Sequence, residues 1–308
     1  MKKRILVIGG TYFVGRVFVT VTAQMGEGDY EVHLVNRGRY SYKTGEVRQH
    51  HFDRHEAEKF GTEVPAVDFD AIVDFCAYEP GDIRSVLDNL KGKVGQYIYY
   101  STASVYRPDL NTAVTETDPL MEPKLIGHPQ MDYVSKKLLL ERELQEAAGE
   151  KGIPWTILRP AFIYGPYNYA PRESRFIQMF LKEIALPCPI NSPGKFNFVY
   201  VKDAANAAGL CIGDERAYNK IFNLASPEHF NYESMFSAYG QATGIGMPLR
   251  YIPVGEAMKL DLPFPVDHSE LCDGSLFAET FGYTYEPFRE GFLKTYNFFE
   301  PFFNRQNG

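Results

Sequence analysis

The sequence predicts an α/β protein with a doubly wound parallel sheet, followed by a smaller C-terminal domain. Short apolar segments alternate with helical patterns through the first half of the chain, and a glycine-rich turn joins the first strand to the first helix. Strands and helices that alternate in this way form parallel sheets with right-handed crossover connections. After about residue 164 the composition changes, which indicates a second and less regular domain.

The predicted strands are runs rich in β-branched and aromatic residues. They cover residues 4–8, 31–35, 71–76, 96–101, 156–162 and 220–225. Helical periodicity predicts helices over about 14–25, 81–91, 133–149 and 201–212. In the first of these helices, Val14, Val17 and Phe18 begin an apolar face that repeats at helix spacing.

The domain boundaries follow from the change in composition. Residues 164–174 are rich in proline, tyrosine and glycine and residues 186–196 in proline, whereas regular patterns return at 201–212 and 220–225. We therefore expect a dinucleotide-binding domain over 1–165, to which 196–225 returns. A smaller, discontinuous substrate-binding domain is expected over 166–308.

Composition and charge narrow the function classes. The chain has 308 residues and a formal net charge of −7, which does not favour nucleic acid or an anionic membrane as a partner. Its four cysteines form no CxxC pair, so reduced thiols are expected rather than a disulfide framework or a zinc site. The apolar run after MKKR is too short for a signal peptide, and no run approaches the length of a membrane span. A cytoplasmic location is expected.

The segment VIGGTYFVGR (7–16) has the pattern of a dinucleotide-binding turn between a strand and a helix. Glycines let the strand turn sharply and the backbone approach a pyrophosphate, which meets the free N–H groups of the helix start. Tyr12 stands where many such turns have their middle glycine: either its side chain points away from the phosphates, or the site has lost its cofactor. Cofactor contacts are expected from the whole turn, namely Gly9, Gly10, Thr11, Tyr12, Phe13, Val14 and Gly15.

The second strand ends in Asn36 and Arg37 rather than in an acid. A carboxylate at this point binds the ribose 2′-hydroxyl of NAD, whereas an arginine accommodates the 2′-phosphate of NADP. Both residues are therefore expected to contact the cofactor, and NADP is favoured over NAD. The alternative for Arg37 is a solvated surface position.

Tyr133 and Lys137, in YVSKK, lie four residues apart in a predicted helix and therefore share one face. A cation beside a phenol lowers the pKa of the phenol and makes it a usable acid or base. The alternative is a surface position in which Glu141 pairs with Lys137.

Hydroxyl residues follow the strand in QYIYYSTASVY (96–106), at the carboxyl edge where open α/β sheets bind ligands. Thr102 or Ser104 could bind a substrate oxygen there. The alternative is a strand end with capping hydroxyl groups.

Five segments together resemble the extended short-chain dehydrogenase/reductases of the NAD(P)-dependent epimerase/dehydratase family. They are VIGGTYFVG, STASVY, YVSKK, LRPAFIYGP (158–166) and FNFVYVKDAANA (196–207), in the family's order. The resemblance covers residues 1 to about 225 and implies a Rossmann-type sheet, a nicotinamide cofactor and a nucleotide-activated sugar as substrate. It also implies a homodimer formed through the helices near 81–91 and 133–149.

The same resemblance implies the catalytic roles. Thr102 takes the place of the catalytic Ser/Thr, and Tyr133 that of the acid/base that moves the hydroxyl proton during hydride transfer. Lys137 takes the place of the tyrosine's partner, which in the family also binds the nicotinamide ribose. Ser104 resembles a residue that touches the sugar near its reacting carbon.

Further positions are assigned to the ligands. By resemblance, Asp53 meets the adenine, and Cys76 and Ala77 pass under the cofactor. Arg172 and Arg175 are candidates for the diphosphate of a nucleotide sugar, because arginine suits phosphate recognition. The alternative for these two is a solvated helix start.

The sequence disfavours three further roles: dehydratase chemistry, a metal site and a ligand contact by Arg159. Sugar 4,6-dehydratases resemble this chain but carry acidic residues where it has Ala103 and Ser104, so a 4-epimerase or a ketoreductase is favoured. The histidines of HHFDRH (50–55) do not have the spacing of a zinc site, and no metal is expected. Arg159, which leads into the substrate domain by resemblance, is expected to be structural.

The segments GGTYFVGR and VNRG also resemble those of an atypical branch of the superfamily, which includes the chloroplast stem-loop RNA-binding proteins. If that likeness extends to function, the chain is an RNA-binding or regulatory protein on a dehydrogenase scaffold, without redox turnover. The net charge of −7 and the presence of Thr102, Tyr133 and Lys137 favour an NAD(P)-dependent enzyme instead.

Overall fold

The computed structural model describes residues 2–24, 30–40, 42, 47–107 and 112–306. The chain divides into two compact units. Unit 1 comprises Met1–Val105, Pro119–Pro160 and Ala204–Phe222, and unit 2 comprises Tyr106–Asp118, Ala161–Asp203 and Asn223–Gly308. The functional division near residue 165 stays a prediction.

Unit 1 is built on a seven-stranded sheet, whose strands are numbered with those of unit 2 in chain order. They are β1 (Lys3–Ile8), β2 (Tyr30–Asn36), β3 (Val47–His51), β4 (Ala71–Asp74), β5 (Tyr97–Tyr100), β6 (Trp155–Pro160) and β10 (Lys220–Leu224). Their order is β10-β6-β5-β4-β1-β2-β3, and the neighbours from β6 to β3 pair in parallel. The chain changes direction across the sheet between β1 and β4, where open α/β sheets bind their ligands. The predicted doubly wound parallel fold is confirmed.

The helices of unit 1 cover the sheet through apolar side chains. They are α1 (Phe13–Gln24), α2 (Lys59–Thr62), α3 (Asp82–Asn89), α4 (Pro129–Lys151) and the greater part of α6 (Val201–Cys211). The predicted helix 14–25 agrees with α1, and residue 25 lies outside the described residues. The core between sheet and helices includes Leu6, Ile72, Tyr97 and Leu144, all fully buried.

Helix α4 begins four residues earlier than predicted, because His128 and Pro129 start it. The His128 side chain accepts a hydrogen bond from the main-chain N–H of Met131, and Pro129 takes the first helical position, where no N–H is needed. The helix ends at Gly152, whose φ of 65° is left-handed. The early start places Tyr133 in the second turn of the helix.

Unit 2 has two small sheets with helices around them. Its elements are β7 (Phe162–Tyr164), α5 (Glu173–Leu181), β8 (Leu186–Ile190), β9 (Phe196–Tyr200), β11 (His229–Phe230), α7 (Tyr232–Thr243), β12 (Leu249–Pro253), α8 (Val254–Ala257), α9 (Ser275–Phe281) and α10 (Phe288–Gln306). One sheet has the order β11-β9-β7, and the other pairs β12 with β8. The predicted strand 156–162 is wrong at its end: β6 stops at Pro160, and Phe162 begins β7, which pairs with β9.

Aromatic residues form much of the core of unit 2. The rings of Phe196 and Phe264 stack at 4.8 Å between centroids, and those of Tyr239 and Phe292 at 3.6 Å. This accounts for part of the high aromatic content of the chain. Across the described ranges, no helix is long and apolar enough to cross a membrane.

A histidine pair, buried at His33 and half-buried at His50, joins β2 to β3 and makes the stability of unit 1 depend on pH. Nδ1 of His33 lies 3.0 Å from Nε2 of His50, so one neutral ring donates to the other. Burial lowers the pKa of both histidines below the ordinary 6.5. The neutral pair therefore contributes its full stability above pH 6.5, and this contribution is lost as the pH falls through the lowered pKa values.

We expect the Tm of the wild-type chain to fall more steeply below pH about 6.5 than that of His50→Gln, because protonation of the pair favours the unfolded chain. Thermal unfolding followed by circular dichroism between pH about 5 and 8 measures the difference. The exposed His229 supplies the control, His229→Gln, which should keep the wild-type pH dependence. Equal slopes in all three proteins would contradict the assignment.

Candidate functional site

The glycine turn between β1 and α1 is closely packed on its own backbone. Gly9 has a φ of 85°, a conformation that favours glycine. A Cβ added to Gly15 would lie 2.4 Å from the main-chain oxygen of Gly9, and one added to Gly9 would lie 2.7 Å from Sγ of Cys76. The turn therefore requires glycine at both positions and leaves the start of α1 clear of side chains there, which fits a pyrophosphate.

Tyr12 is 43% exposed, and its ring packs edge-on against that of Tyr40, with 5.2 Å between centroids. The phenol of Tyr42 donates to the main-chain oxygen of Gly10 at 2.6 Å and so ties the segment after β2 to the glycine turn. Tyr40 and Tyr42 were not singled out in the sequence. Of the two interpretations of Tyr12, this surface position favours the one in which the turn tolerates its side chain.

Asn36, at the end of β2, has an unsatisfied donor. Its Oδ1 accepts from the N–H of Gly38 at 2.6 Å and from Nδ1 of His51 at 3.1 Å, which fixes the orientation of the amide. Its Nδ2 is buried without a hydrogen-bond partner among the described residues. An orphaned donor at this strand end fits an acceptor oxygen of a bound ribose. Arg37, the next residue, is exposed.

Lys137 is buried beneath aromatic rings at the carboxyl edge of the sheet, with 3% of its surface exposed. Its Nζ donates to the main-chain oxygens of Ala77 at 3.1 Å and Tyr100 at 2.8 Å. The ring centroids of Tyr78 and Tyr99 lie 4.6 and 4.8 Å from Nζ. Burial lowers the pKa of Lys137 to about 8, so its charge responds to small changes in its surroundings.

Tyr133 lies one helical turn before Lys137, and its ring centroid is 5.9 Å from the lysine Nζ. Unlike the lysine it is open to solvent, with 38% of its surface exposed. It borders a cleft of about 290 Å³, lined by Tyr78, Glu79, Gly127, Pro129, Asp132, Tyr133 and Lys136. A phenol in an open cleft beside a buried ammonium can exchange a proton with a ligand.

Thr102 follows β5, two residues after the carbonyl that holds Lys137. Its Oγ1 accepts from the N–H of Ser104 at 3.2 Å and donates to the Ser104 hydroxyl at 3.3 Å. Both side chains are half-buried, that of Thr102 just before a short 3₁₀ turn and that of Ser104 within it. The hydroxyl of Ser101, just before them, is buried without a partner among the described residues. Ser101 is therefore a further candidate that the sequence did not single out.

Three predicted ligand positions follow β4 and β3, two strands of unit 1 that are separated in the sheet by β1 and β2. Cys76 and Ala77 follow β4, with Cys76 against Gly9 and the Ala77 carbonyl on Lys137. Burial raises the pKa of the Cys76 thiol to about 12, which makes it a poor nucleophile. Asp53 follows β3 and lies 2.9 Å from Nδ1 of His55.

A buried ion pair between Arg54 and Asp74 lies behind these strand ends and was missed in the sequence. The signal was a charged residue closing the apolar strand AIVD, since a fully buried carboxylate needs a partner. Sequence spacing does not identify that partner, because it comes from another strand end.

The two arginines predicted to bind a diphosphate lie in unit 2, where both contact other residues of that unit. The guanidinium of Arg172 lies 5.4 Å from the ring centroid of Phe162, and Nη1 of Arg175 donates to the main-chain oxygen of Asp261 at 2.7 Å. Their assignment to a diphosphate stays a prediction.

The suggested pairing of Glu141 with Lys137 is wrong. Glu141 forms a buried ion pair with Arg159, at 2.6 and 3.0 Å, because its side chain reaches β6. Arg159 thus has the structural position expected of it. Within the described ranges, no group of three or more His, Cys, Asp and Glu side chains is arranged to hold a metal ion.

Known proteins resemble this chain in sequence and in fold. Residues 84–225 match the model of the NAD dependent epimerase/dehydratase family. The chain is 26% identical over 263 residues to the chloroplast stem-loop binding protein of 41 kDa b of Arabidopsis thaliana, which covers 80% of this chain and 65% of that protein. It is 27% identical over 160 residues to UDP-D-apiose/UDP-D-xylose synthase 2 of Arabidopsis thaliana, over 43% of this chain and 41% of that protein. The chain therefore spans less than two thirds of the length of either relative.

Among solved structures, the UDP-glucose 4-epimerase of Thermotoga maritima, determined with UDP-glucose, matches with a TM-score of 0.76. The match covers 97% of this chain and 99% of that one at 21% identity. It shows that the two proteins share a fold.

Proposed function

We propose that the chain is an NAD(P)-dependent epimerase or reductase that acts on a nucleotide-activated sugar, a proposal supported by the match of residues 84–225 to the NAD dependent epimerase/dehydratase family model. The observation that carries the proposal is the arrangement of Lys137 and Tyr133. A buried ammonium is fixed by two carbonyls, and an accessible phenol lies one turn away, beside an open cleft.

The residues of unit 1 fit a nicotinamide dinucleotide. The glycine turn and the start of α1 would hold the pyrophosphate, Asn36 Nδ2 would donate to a ribose oxygen, and Arg37 would meet a 2′-phosphate. When bound, the nicotinamide supplies a hydride acceptor and donor to the substrate carbon.

In the proposed reaction, Tyr133 takes the proton from a sugar hydroxyl as that carbon is oxidised and returns it on reduction. The charge of Lys137 favours the ionised phenol, and the hydroxyl of Thr102 holds the sugar oxygen in line. The nucleotide-sugar substrate is supported by two similar proteins, whose names specify UDP-sugars. Epimerase, reductase and dehydratase are separated only by assay, although Ala103 and Ser104 in place of acids favour the first two.

A cofactor titration tests the proposal. We expect micromolar binding of NADPH or NADH by nicotinamide fluorescence, with NADPH preferred because Arg37 can pair with the 2′-phosphate. Arg37→Ala should weaken NADPH binding by about tenfold to a hundredfold and NADH binding far less. The matched control is Arg39→Ala, two residues on and also exposed. If Arg39→Ala instead weakens NADPH binding selectively, the 2′-phosphate would be assigned to Arg39 rather than Arg37.

Absence of binding by either cofactor, with cofactor carried through purification excluded, would contradict the proposal. The second candidate function, RNA binding without redox turnover, would then lead. It is favoured by one observation: the relative aligned over 80% of this chain is named as a stem-loop binding protein. A mobility-shift assay with stem-loop RNA tests it, and the net charge of −7 predicts weak, salt-sensitive binding at most.

The remaining expectations stay predictions. A homodimer through α3 and α4 is open to measurement by light scattering. The cytoplasmic location is untested, and one similar protein is named as chloroplastic.

A further inference from the structure

Arg54 and Asp74 form an ion pair that is almost wholly shielded from water, since Arg54 is 7% and Asp74 0% exposed. Nη1 of Arg54 donates to both carboxylate oxygens, at 2.9 and 3.0 Å, and Nη2 donates to the main-chain oxygen of Asp82 at 2.7 Å. The phenol of Tyr97 also donates to Asp74, at 2.7 Å. Apolar residues of similar volume often replace such a pair without loss of stability, so stability alone does not account for it.

The pair fixes the turn that follows β4. The N–H of Cys76 donates to Oδ1 of Asp74 at 3.0 Å, and Nη1 of Arg54 lies 3.7 Å from the Cys76 sulfur. The main-chain oxygen of Asp82 accepts from Arg54. The Asp82 carboxylate also accepts hydrogen bonds from the main-chain N–H groups of residues 78 and 79, at 2.8 and 3.0 Å. Both ends of the turn are therefore tied, directly or through one residue, to the same guanidinium.

This turn touches the glycine turn and Lys137. Cys76 packs so closely on Gly9 that an added Cβ there would lie 2.7 Å from its sulfur. The next residue, Ala77, gives its carbonyl to the Nζ of Lys137 at 3.1 Å. A displacement of the turn would change the backbone expected to face the pyrophosphate and the position of the ammonium together.

We propose that Arg54 and Asp74 are positioning residues, which fix the glycine turn and the Lys137 ammonium at the relative positions that cofactor binding needs. This role rests on the proposed function. Neither residue is assigned a contact with cofactor or substrate. Their effect passes through Cys76 on one side and Ala77 on the other.

The titration of Lys137 reports its charge coupling to the pair, whereas NADPH binding reports the position of the turn. Burial lowers the pKa of Lys137, the negative charge of Asp74 opposes this, and the positive charge of Arg54 adds to it. The groups that face the lysine are the charged or ionisable side chains of Asp74, Cys76, Arg54 and Glu141 and the rings of Tyr78, Tyr99 and Tyr133. Arg54→Met should therefore raise the pKa of Lys137, and Asp74→Asn should lower it.

The experiment is an NMR titration of the 308-residue chain labelled with ¹³C at the lysine ε-carbon, in which Lys137→Met identifies the Lys137 resonance. We expect the titration to shift in opposite directions in Arg54→Met and Asp74→Asn. NADPH binding, measured by fluorescence, should weaken by about tenfold in each. Arg216→Met, which breaks an exposed ion pair with Asp214, is the matched control and should change neither quantity.

Folded Arg54→Met and Asp74→Asn proteins whose NADPH binding matches the wild type would overturn the proposal, whatever their Lys137 titration, because loss of the charge alone shifts that titration. If Arg54→Met does not fold, Arg54→Lys keeps the charge but offers a single nitrogen in place of the fork. It should leave the titration of Lys137 near that of the wild type and still weaken NADPH binding, and unchanged binding would overturn the proposal. The titration needs no substrate. A failure of the proposed function, seen as no turnover of any nucleotide sugar, can therefore be distinguished from a failure of the positioning role.

Discussion

Tyr133→Phe is expected to lower kcat with a nucleotide sugar by about 10² to 10⁴ while leaving cofactor affinity nearly unchanged. The substitution removes one hydroxyl from a side chain that is 38% exposed, so it opens no cavity in the core. The ring remains 5.9 Å from Nζ of Lys137, whose two carbonyl bonds do not involve Tyr133. The expected loss of kcat is therefore that of a proton donor and acceptor.

Steady-state kinetics of Tyr133→Phe, with NADPH and NADH affinities measured on the same preparation, provide the test. Tyr78→Phe is the matched control, because its ring lies beside that of Tyr133 at 6.4 Å, borders the same cleft and is similarly exposed. We expect it to lose less than about tenfold. If Tyr78→Phe abolishes turnover and Tyr133→Phe retains it, the roles are wrongly assigned.

The sheet of unit 1 could be predicted because its strands are buried on both faces. Such strands read as short apolar runs, and a glycine turn between the first run and an amphipathic helix fixes the direction of the chain. β3 was not predicted, since VRQHH has a half-buried edge-strand pattern and only one strand beside it. Its histidines read as polar, although His50 packs against a buried ring on β2.

Unit 2 was harder to predict, for a different physical reason. The segment LPCPI forms β8, yet two of its five residues are prolines, which cannot donate to a sheet. The strand is possible because it lies at the edge of a two-stranded sheet. Composition alone favours a loop for this segment, so the small sheets depend on tertiary context.

The candidate site shows the same limit. The Tyr133–Lys137 spacing is local and could be identified from one helix, whereas the Arg54–Asp74 pair joins residues from the ends of two strands. Helix spacing also suggested Glu141 as the partner of Lys137, but i,i+4 pairing contributes only a few tenths of a kcal/mol. The buried guanidinium of Arg159 on β6 takes the carboxylate instead, because a buried arginine left unpaired costs far more.

Gly15→Ala is expected to abolish measurable NADPH and NADH binding. The added Cβ would lie 2.4 Å from the main-chain oxygen of Gly9 and 3.0 Å from Cα of Gly10. Both are backbone atoms, so the turn must move away from α1 to relieve the overlap. Overpacking of this kind costs about 1–3 kcal/mol, which exceeds the roughly 1 kcal/mol that alanine gains over glycine within a helix. The displaced turn would no longer present its N–H groups to the pyrophosphate.

Gly149→Ala is the matched control, because it makes the same change inside α4, where an added Cβ has no neighbour within 4 Å. It should keep cofactor binding and raise the Tm slightly through helix propensity. Circular dichroism of both variants separates local displacement from unfolding, since Gly15→Ala should remain folded with a lower Tm. A folded Gly15→Ala protein with wild-type NADPH affinity would mean that the pyrophosphate does not lie on this turn. The assignment of the cofactor to unit 1 would then lose its structural basis, whatever the result for Tyr133.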